Sequence, residues 1–407
     1  MSGLATDFRP PFAHLKGKRP EEVFRDIPTP AYVIDEEALR HNGEILRTLA
    51  MRTGCRILLA QKAFSNYDFY PLLSDCLAGT EASGLFEARL GAEKMPGKET
   101  HIFSAAYREE EFPDILRYAD HIVFNSASQL RKFGAQAKKA GKEIGLRLNP
   151  ECSTQEGHAI YDPCAPGSRL GVTRGAWDRD MTEDLVSILD GLHFHTLCEQ
   201  DSDALEKTLS AVEEKFGDVL PRAKWLNMGG GHHITRPGYD LARLERLILG
   251  AKKRWGVTVY LEPGEAVALN AGYFLSRVLD IVENGGTRIA VLDGSAACHM
   301  PDVIEMPYLP PLYGAEAGGG GEGECFRLAG PTCLAGDVIG DYAFPSALKE
   351  GELLTFGDMA IYTTCKNNTF NGMALPDIWA FRKDGTLRKL TGFEYADFAH
   401  RLGSRES

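Results

Sequence analysis

The sequence predicts an α/β fold: a (β/α)8 barrel of the TIM type, followed by a C-terminal all-β domain. Two observations support this fold. Between residues 55 and 262, eight short apolar runs alternate with longer amphipathic stretches. Strand–helix alternation is typical of a parallel sheet, and eight such units in roughly 200 residues match the size of a closed barrel. After residue 272 the helical patterns stop and short β-rich runs follow.

The barrel strands are predicted at the apolar runs: Arg56–Ala60, Gly79–Ser83, His101–Ser104, His121–Phe124, Ile144–Asn149, Leu192–His195, Trp225–Met228 and Val257–Leu261. Helical patterns lie between most of them. Ala127–Ala140 and Asp201–Phe216 are examples, and in the second Leu205, Leu209 and Val212 recur at three- and four-residue steps. Catalytic residues of such barrels lie at the carboxyl ends of the strands, so the residues that follow these runs are the first candidates.

The β domain is predicted from Phe274–Val282, Thr287–Leu292 and Leu353–Phe356, which are separated by Gly, Pro and Asp turns. An earlier run, Thr29–Ile34, reads as a strand that precedes the barrel and joins this domain. The predicted boundaries are therefore 36–272 for the barrel, with 1–35 and 273–407 in the β domain.

Composition disfavours two classes of partner. The 407-residue chain has 45 basic and 57 acidic residues and a net charge of -12, which repels nucleic acid and anionic membranes. Nine cysteines without a CxxC pair are typical of reduced thiols, and the first thirty residues contain no apolar segment. We expect a cytoplasmic protein.

Two features at predicted strand ends suggest a phosphorylated aldehyde. Gly229-Gly230-Gly231 follows the seventh run, and bare backbone N–H groups can approach an anion closely, although an ordinary tight loop gives the same pattern. Lys62 lies two residues beyond Ala60, where apolar neighbours would make its amine nucleophilic toward an aldehyde; a solvated surface lysine is the alternative. Together they suggest pyridoxal 5'-phosphate.

Three further residues fit that cofactor. Glu262 follows the last strand, and a carboxylate beside the pyridine nitrogen keeps that nitrogen protonated. His195 shares a strand face with His193, and an imidazole there can stack on the cofactor ring. Cys333 lies in the β domain, where a thiol could return a proton to a carbanion. A turn glutamate, a hydrogen-bonded interior histidine and a buried structural cysteine are the respective alternatives.

The combination resembles the fold-type III pyridoxal enzymes, which include alanine racemase and the ornithine and diaminopimelate decarboxylases. The resemblance covers nearly the whole chain. It rests on Pro28–Tyr32, Ala60–Ala63, Gly191–His195, the triple glycine, Glu262–Ala266, Cys298–Asp302, Gly330–Asp337, and Tyr362 with Thr369–Gly372. Within that group the motifs are most similar to decarboxylases of carboxylated polyamines. The implied reaction is decarboxylation of carboxynorspermidine or carboxyspermidine in spermidine biosynthesis, without a preference between the two.

The resemblance also implies roles for the cofactor residues. Lys62 anchors pyridoxal phosphate and acts in catalysis, and His195 stacks on its ring. Gly229 to Gly231 and Tyr362 hold the phosphate, and Glu262 pairs with the ring nitrogen. The loop after His195 departs from the family, because Thr196–Glu199 replaces the common Gly-Ser pair.

The substrate and the assembly are implied in the same way. Cys333 reaches across the interface of a homodimer with shared active sites and donates a proton. Asp302 stands where ornithine decarboxylases hold the distal ammonium of their substrate, and Asp337 is assigned to the substrate with it. Glu265 replaces the arginine that amino-acid decarboxylases of this group usually carry. We infer that Glu265 and Asp302 bind the amines of a longer, more cationic substrate.

Three alternatives are open at this point. A metal-dependent hydrolase would gather His193, His195, His232, His233 and Cys198 around zinc, although its HxH pair normally lies on the first strand. A catalytically inactive regulatory homologue would not need Lys62, Glu262 and Cys333. A diaminopimelate- or ornithine-type decarboxylase is the third, and in the diaminopimelate case Arg169 would bind the far carboxylate of the substrate.

Overall fold

The structure is a computed structural model that describes residues 10–155, 161–320 and 322–404. It divides into two compact units. One holds residues 41–267, and the other holds residues 10–40 together with 268–404. Residues 1–9 and 405–407 of the predicted β domain lie outside the described residues.

Three elements precede the barrel strands along the chain: α1 (Pro20–Phe24) and β1 (Ala31–Asp35), which belong to the second unit, and α2 (Glu36–Thr53), which continues into the barrel unit. Eight parallel strands then form a closed barrel, which confirms the predicted fold class. They are β2 (Arg56–Ala60), β3 (Gly79–Ala82), β4 (Glu99–Phe103), β5 (His121–Phe124), β6 (Glu143–Arg147), β7 (Gly191–His193), β8 (Trp225–Asn227) and β9 (Thr258–Leu261).

The helices of this region alternate with the strands. They are α3 (Tyr70–Ser74), α4 (Leu85–Lys94), α5 (Phe112–Tyr118), α6 (Ala127–Lys139), α7 (Arg174–Asp180), α8 (Glu183–Ser187), α9 (Ser202–Phe216), α10 (Leu241–Trp255) and α11 (Glu265–Ala268). Side chains cap the three longest of these. Ser126 accepts from the Gln129 N–H, Asp201 from Ser202 and Asp240 from Arg243, which satisfies amides that the first helical turn leaves unpaired.

The barrel is filled by a cluster of Leu58, Val123, Trp225 and Tyr260. Trp225 requires a glycine on the neighbouring strand, because a Cβ at Gly191 would lie 1.9 Å from its indole ring. The barrel interior is therefore a packed core, and it leaves the carboxyl ends of the strands as the place for chemistry.

The second unit is built on one mostly antiparallel sheet whose strand order is β12-β14-β13-β11-β10-β1-β16-β17, with β15 also paired to β10. The strands after the barrel are β10 (Gly272–Asn284), β11 (Thr287–Leu292), β12 (Glu316–Ala317), β13 (Glu324–Ala329), β14 (Val338–Phe344), β15 (Leu353–Gly357), β16 (Asp377–Phe381) and β17 (Leu387–Thr391). The early strand β1 lies between β10 and β16, so this sheet contains a strand from before the barrel.

Short helices also occur among the described residues of the second unit: α12 (Ala296–His299), α13 (Asp302–Glu305), α14 (Thr363–Lys366) and α15 (Tyr395–Ala399). They were not predicted, because helices of four or five residues are too short to show an apolar period. Single turns of 3-10 helix lie at Ala13–Leu15, Tyr67–Phe69, Leu220–Arg222 and Phe370–Gly372.

None of the helices in the described ranges combines the length and the apolar character that a membrane crossing requires.

Candidate active site

The carboxyl ends of four barrel strands bring the predicted cofactor residues of the barrel unit together. Lys62 follows β2, His195 follows β7, Gly229 to Gly231 follow β8, and Glu262 follows β9. Because all strands of the barrel are parallel, these residues lie at the same end of it. Two charged residues that were not predicted, Glu81 on β3 and Arg147 on β6, join them there.

Lys62 occupies the turn that ends β2 and is exposed, although apolar shielding was expected from the sequence. Its flanking residues Gln61 and Ala63 are buried. Its positive charge acts to lower the pKa of two buried groups, Glu81 and His195. In the part of the chain that the structure describes, its amine has no hydrogen-bond partner, so it is available to react.

Glu262 is 6 % exposed, and two residues at the carboxyl ends of neighbouring strands hold its side chain. Asn227 donates from Nδ2 to Oε1 at 2.5 Å, and His193 Nε2 lies 3.1 Å from Oε2. Burial alone would raise the pKa of Glu262, but the interactions with His193 and Asn227 lower it below its usual value. Burial also lowers the pKa of His193, so the imidazole is neutral and donates through Nε2. Glu262 is an ionised carboxylate with acceptor capacity left.

His195 is fixed by the glycine run. His195 Nδ1 lies 3.0 Å from the Gly230 amide nitrogen and 3.2 Å from the Gly230 carbonyl oxygen, so the Gly230 backbone orients the ring. Burial, with the charges of Lys62 and Arg147, lowers the pKa of His195 well below its usual value. The site therefore presents a neutral, oriented imidazole beside Lys62.

The three glycines are not equivalent. The Gly229 N–H donates to Asn227 Oδ1 at 2.9 Å, and the Gly230 N–H is used by His195. Gly231 is the member whose N–H has no acceptor among the described residues. A Cβ at Gly231 would lie 2.0 Å from the Leu197 carbonyl oxygen, at a φ of +78°, so glycine is required there. The run offers one amide to an anion, not three.

The unusual loop after His195 is held by polar side chains. The Thr196 and Thr208 hydroxyls lie 3.0 Å apart, and Thr154 Oγ1 donates to Gln200 Oε1 at 2.8 Å. Glu199 adopts a left-handed φ of +51°. Hydroxyl and amide contacts thus fix this segment of the loop.

Arg147 and Glu81 were missed from the sequence. Arg147 is 4 % exposed, donates to the His195 carbonyl at 3.0 Å and lies 4.5 Å above the Phe103 ring. Burial lowers its pKa to about 10. Glu81 is 5 % exposed, and burial, followed by the charge of Glu262, raises its pKa well above the usual value. In the sequence, both residues are recognisable as charged residues inside a predicted barrel strand. The carboxyl ends of these strands lie at the end of the barrel that carries the candidate site.

Glu265 begins α11, three residues after Glu262, and is half-buried. It lies in the same strand-end segment as Glu262, which fits a position near the cofactor site.

In the second unit, Cys333 and Asp337 belong to one loop between β13 and β14. Cys333 is exposed, and its N–H donates to Asn371 Oδ1 at 3.1 Å. Asp337 is 2 % exposed and accepts from Ser295 Oγ at 2.8 Å and from Thr332 Oγ1 at 2.7 Å. These bonds favour a supporting role for Asp337 in the Cys333 loop over the predicted contact with substrate.

Asp302 begins α13 and is already bound by a cation of its own chain. Lys366, at the end of α14, donates to Asp302 Oδ1 and to Glu305 Oε2. Tyr362 precedes α14 at a left-handed φ of +55°, and its ring lies 5.9 Å from the Lys366 ammonium. Asp302 and Tyr362 are thus linked through Lys366.

Within the described part of the chain, the histidines named for the hydrolase alternative do not converge on a metal site. His193 is bonded to Glu262, and His232 Nε2 lies 3.2 Å from the Met228 carbonyl. Among the described residues, the one set of three side chains with ligand atoms close together is Glu99, His101 and His121. The His101 and His121 rings stack with centroids 3.9 Å apart, so one ion could not lie in both ring planes.

The donor set at the barrel mouth fits pyridoxal phosphate. An available amine suits an aldehyde, the Gly231 amide suits a phosphate, and ionised Glu262 suits a protonated pyridine nitrogen. Lys62, Gly231 and Glu262 would hold the group, with His195 against its ring.

Comparisons with known proteins agree with pyridoxal phosphate as the cofactor. Residues 31–360 match a family model described as "Pyridoxal-dependent decarboxylase, C-terminal sheet domain". The chain is 40 % identical over 388 residues to a Campylobacter jejuni carboxynorspermidine/carboxyspermidine decarboxylase, covering 93 % of this chain and 99 % of the relative. It is 41 % identical over 378 residues to a Synechocystis carboxyaminopropylagmatine decarboxylase, covering 93 % and 96 %.

Solved structures give the same result. The crystal structure of carboxynorspermidine decarboxylase complexed with norspermidine from Campylobacter jejuni has a TM-score of 0.85 and 39 % identity, covering 92 % of this chain and 100 % of that one. Diaminopimelate decarboxylase from Helicobacter pylori, at a TM-score of 0.78 and 17 % identity, shares the fold. By its fold, its site and its relatives, the chain belongs to the pyridoxal-dependent decarboxylases and is a carboxy-lyase that uses pyridoxal phosphate.

Proposed function

We propose that the chain decarboxylates a carboxylated polyamine, carboxynorspermidine or carboxyspermidine, in polyamine biosynthesis. One observation carries this proposal: identity of 40 % with the Campylobacter jejuni enzyme of that name extends over nearly the full length of both chains.

The residues of the barrel unit have complementary roles in this reaction. Bound pyridoxal phosphate supplies an electron sink for the pair of electrons left when carbon dioxide departs. Lys62 anchors it, and Glu262 keeps a proton on the ring nitrogen because its own carboxylate is held ionised. The neutral His195 ring is oriented by the Gly230 amide, and the pyridine ring of the cofactor would stack against it. Arg147 holds the backbone of His195 in place.

The active enzyme is, in this proposal, a homodimer whose partner supplies Cys333 as proton donor. The exposure of the Cys333 side chain supports this proposal. Two exposed apolar residues, Leu334 (45 % exposed) and Phe370 (48 % exposed), support it as well, because exposed apolar side chains are common in protein–protein interfaces. Equal amounts of inactive Lys62→Ala and Cys333→Ala proteins, mixed through reversible dissociation, should regain about 25 % of wild-type activity, because random pairing restores one site in half the dimers. Mixtures that stay inactive would contradict shared sites.

The Synechocystis relative favours a second candidate, carboxyaminopropylagmatine, at 41 % identity. Agmatine ends in a guanidinium, which pairs with a carboxylate as a planar fork, whereas a polyamine ends in an ammonium. In this chain the Asp302–Glu305 pair already holds a lysine ammonium, which supports the ammonium-ended substrate.

A competition assay tests the substrate. The purified holoenzyme would receive equal concentrations of carboxynorspermidine, carboxyspermidine, carboxyaminopropylagmatine and diaminopimelate, with product amines separated by chromatography. We expect norspermidine or spermidine to form first. Predominant formation of aminopropylagmatine would favour the second candidate, and predominant formation of lysine would restore the diaminopimelate alternative.

A further inference from the structure

His232 is a buried histidine of the barrel unit whose imidazole has one unused nitrogen. The residue is 1 % exposed, and its Nε2 lies 3.2 Å from the Met228 carbonyl oxygen. A carbonyl oxygen only accepts hydrogen bonds, so Nε2 carries the proton of the neutral ring and Nδ1 is a bare acceptor. Nδ1 has no hydrogen-bond partner among the described residues. Because a buried acceptor without a donor is unfavourable, a ligand that donates a hydrogen bond to Nδ1 would be stabilised there.

The His232 ring belongs to the candidate active site. It interacts electrostatically with Glu262, which follows β9, and with His195, which follows β7. The turn that leads to His232 is joined to the same region, because the Glu262 N–H donates to the Gly229 carbonyl at 2.8 Å. The unused acceptor is therefore part of a residue beside the groups that we assign to the cofactor.

Two unpaired amides adjoin this imidazole. The Gln200 N–H donates to the Gly231 carbonyl at 3.0 Å, and the His233 N–H donates to the Gln200 carbonyl at 3.2 Å, which fixes the backbone of this segment. The N–H groups of Gly231 and of His232 itself have no acceptor within the described ranges. Successive unpaired amides at a residue with a left-handed φ form a concavity that binds anions, and the φ of Gly231 is +78°. An anion bound there is held by the backbone of the residue whose side chain carries the unused acceptor.

We propose that His232 is a further cofactor-binding residue, and that its Nδ1 accepts a hydrogen bond from a protonated oxygen of the cofactor phosphate. A phosphate monoester that keeps one proton suits both features, because it is an anion for the two amides and a donor for the imidazole. His232 has this role whichever carboxylated amine is the substrate.

The surroundings of His232 favour the singly protonated phosphate. In water a phosphate monoester loses its last proton at a pKa of about 6. Burial and the ionised carboxylate of Glu262 both oppose a second negative charge, which raises that pKa. Burial lowers the pKa of His232 to about 4, so the proton stays on the phosphate oxygen and is donated to Nδ1. The neutral His195 ring adds no charge to this balance.

Cofactor binding by the apoenzyme tests this role without turnover. Dissociation constants would be measured by absorbance for pyridoxal phosphate and for pyridoxal, which has the aldehyde but no phosphate. The variants are His232→Leu, which removes the acceptor, and His232→Asn, whose amide oxygen supplies one. His233→Leu is the matched control, because His233 is also buried and its ring nitrogens also lack partners among the described residues, but its charged neighbour is Arg236. Melting temperatures would establish that each variant is folded.

We expect His232→Leu to reduce the preference for pyridoxal phosphate over pyridoxal about 10- to 100-fold, the effect of one hydrogen bond to a charged group. His232→Asn should restore most of that preference, and His233→Leu should match wild type. An unchanged preference in folded His232→Leu would overturn the proposal. An equal loss of affinity for both ligands would overturn it as well, because it would indicate a role in structure alone.

Phosphorus-31 NMR of the wild-type holoenzyme measures the protonation state and requires no variant. At about pH 7.5 free pyridoxal phosphate is mostly a dianion, whereas the bound phosphate should resonate at the chemical shift of the monoanion. In His232→Leu the resonance should move toward that of the dianion. A dianion shift in the wild type would contradict the role of His232, since the phosphate would then have no proton to donate.

Discussion

Glu262 is ionised in a place where burial opposes its charge, and this is the residue on which the electronics of the site depend. The carboxylate is stabilised by Asn227 and His193, which takes its pKa below the usual value. Replacing Glu262 by Gln keeps the shape and removes the charge that holds a proton on the ring nitrogen. We expect kcat to fall roughly 100-fold while the protein still binds pyridoxal phosphate. Steady-state kinetics and the absorbance of the bound cofactor measure both.

A matched control is Glu99→Gln, at the beginning of β4 and so at the other end of the barrel. Glu99 pairs with Arg56 at 2.8 Å, and its loss should lower the melting temperature without changing kcat. Equal losses of kcat in the two variants would show that removing any carboxylate from the barrel impairs activity, and would contradict the special role of Glu262.

At the residue scale, the charged residues that follow a barrel strand could be predicted from the sequence. The charged residues within a strand whose side chains face the barrel axis could not. Lys62 and Glu262 follow apolar runs and were therefore visible. Glu81 was not, because alternation decides its direction: a Cβ at Gly91 on α4 would touch Thr80, so Thr80 faces outward and Glu81 faces the barrel axis. Occupied hydrogen bonds are equally invisible in a sequence, as Gly229 and Asp337 show.

At the element scale, the turn after β8 depends on Gly231. A Cβ there would lie 2.0 Å from the Leu197 carbonyl oxygen, and the φ of +78° is strained for any other residue. We expect Gly231→Ala to destabilise the protein by about 2 kcal/mol or more and to weaken cofactor binding at the adjacent amide. Urea denaturation and pyridoxal phosphate titration measure the two effects.

Gly250, within α10, provides the opposite case. An added Cβ there meets nothing within 4 Å, so Gly250→Ala should stabilise the helix by about 0.5–1 kcal/mol and leave cofactor binding unchanged. If the two variants behaved alike, the close approach at Gly231 would not be the reason for its glycine.

Element prediction succeeded where the apolar pattern was long and failed where hydrogen bonding decided the end. Helices α6 and α9 match their predicted ranges to within one residue at either end. Strand β4 begins at Glu99 rather than at the predicted His101, and β7 ends at His193 rather than His195. The Phe194 N–H still donates to the Asn227 carbonyl of β8 at 2.9 Å, but the next carbonyl, that of His195, bonds to Arg147 instead of to a strand.

At the scale of the molecule, buried neutral histidines predict acid sensitivity. Burial lowers the pKa of His232 to about 4 and of His233 to about 4, from 6.5. Between pH 6.5 and 4 the unfolded chain therefore binds protons that the folded chain does not, and the free energy of unfolding falls as pH falls. Each such histidine contributes up to about 1.4 kcal/mol per pH unit.

His233→Leu tests this prediction cleanly, because neither ring nitrogen of His233 has a partner among the described residues. Urea denaturation at constant ionic strength between pH 7 and 4.5 should give a shallower loss of stability for the variant than for wild type. Parallel curves would mean that His233 is protonated in the folded state and would contradict its assignment as neutral.

The overall architecture was predictable because eight apolar runs of similar length admit few arrangements. The order of the second sheet was not predictable, since β1 enters it from before the barrel and pairs with β10 and β16, which lie more than two hundred residues later. No local pattern encodes a pairing at that separation.

The central claim is that Lys62 anchors pyridoxal phosphate at the carboxyl end of the barrel. Reduction of the holoenzyme with borohydride fixes the cofactor to its lysine, and peptide mass spectrometry then locates the modified residue. We predict a single phosphopyridoxyl group on the peptide that contains Lys62, absent from Lys62→Ala. Modification of another lysine, or of none, would contradict the site described above.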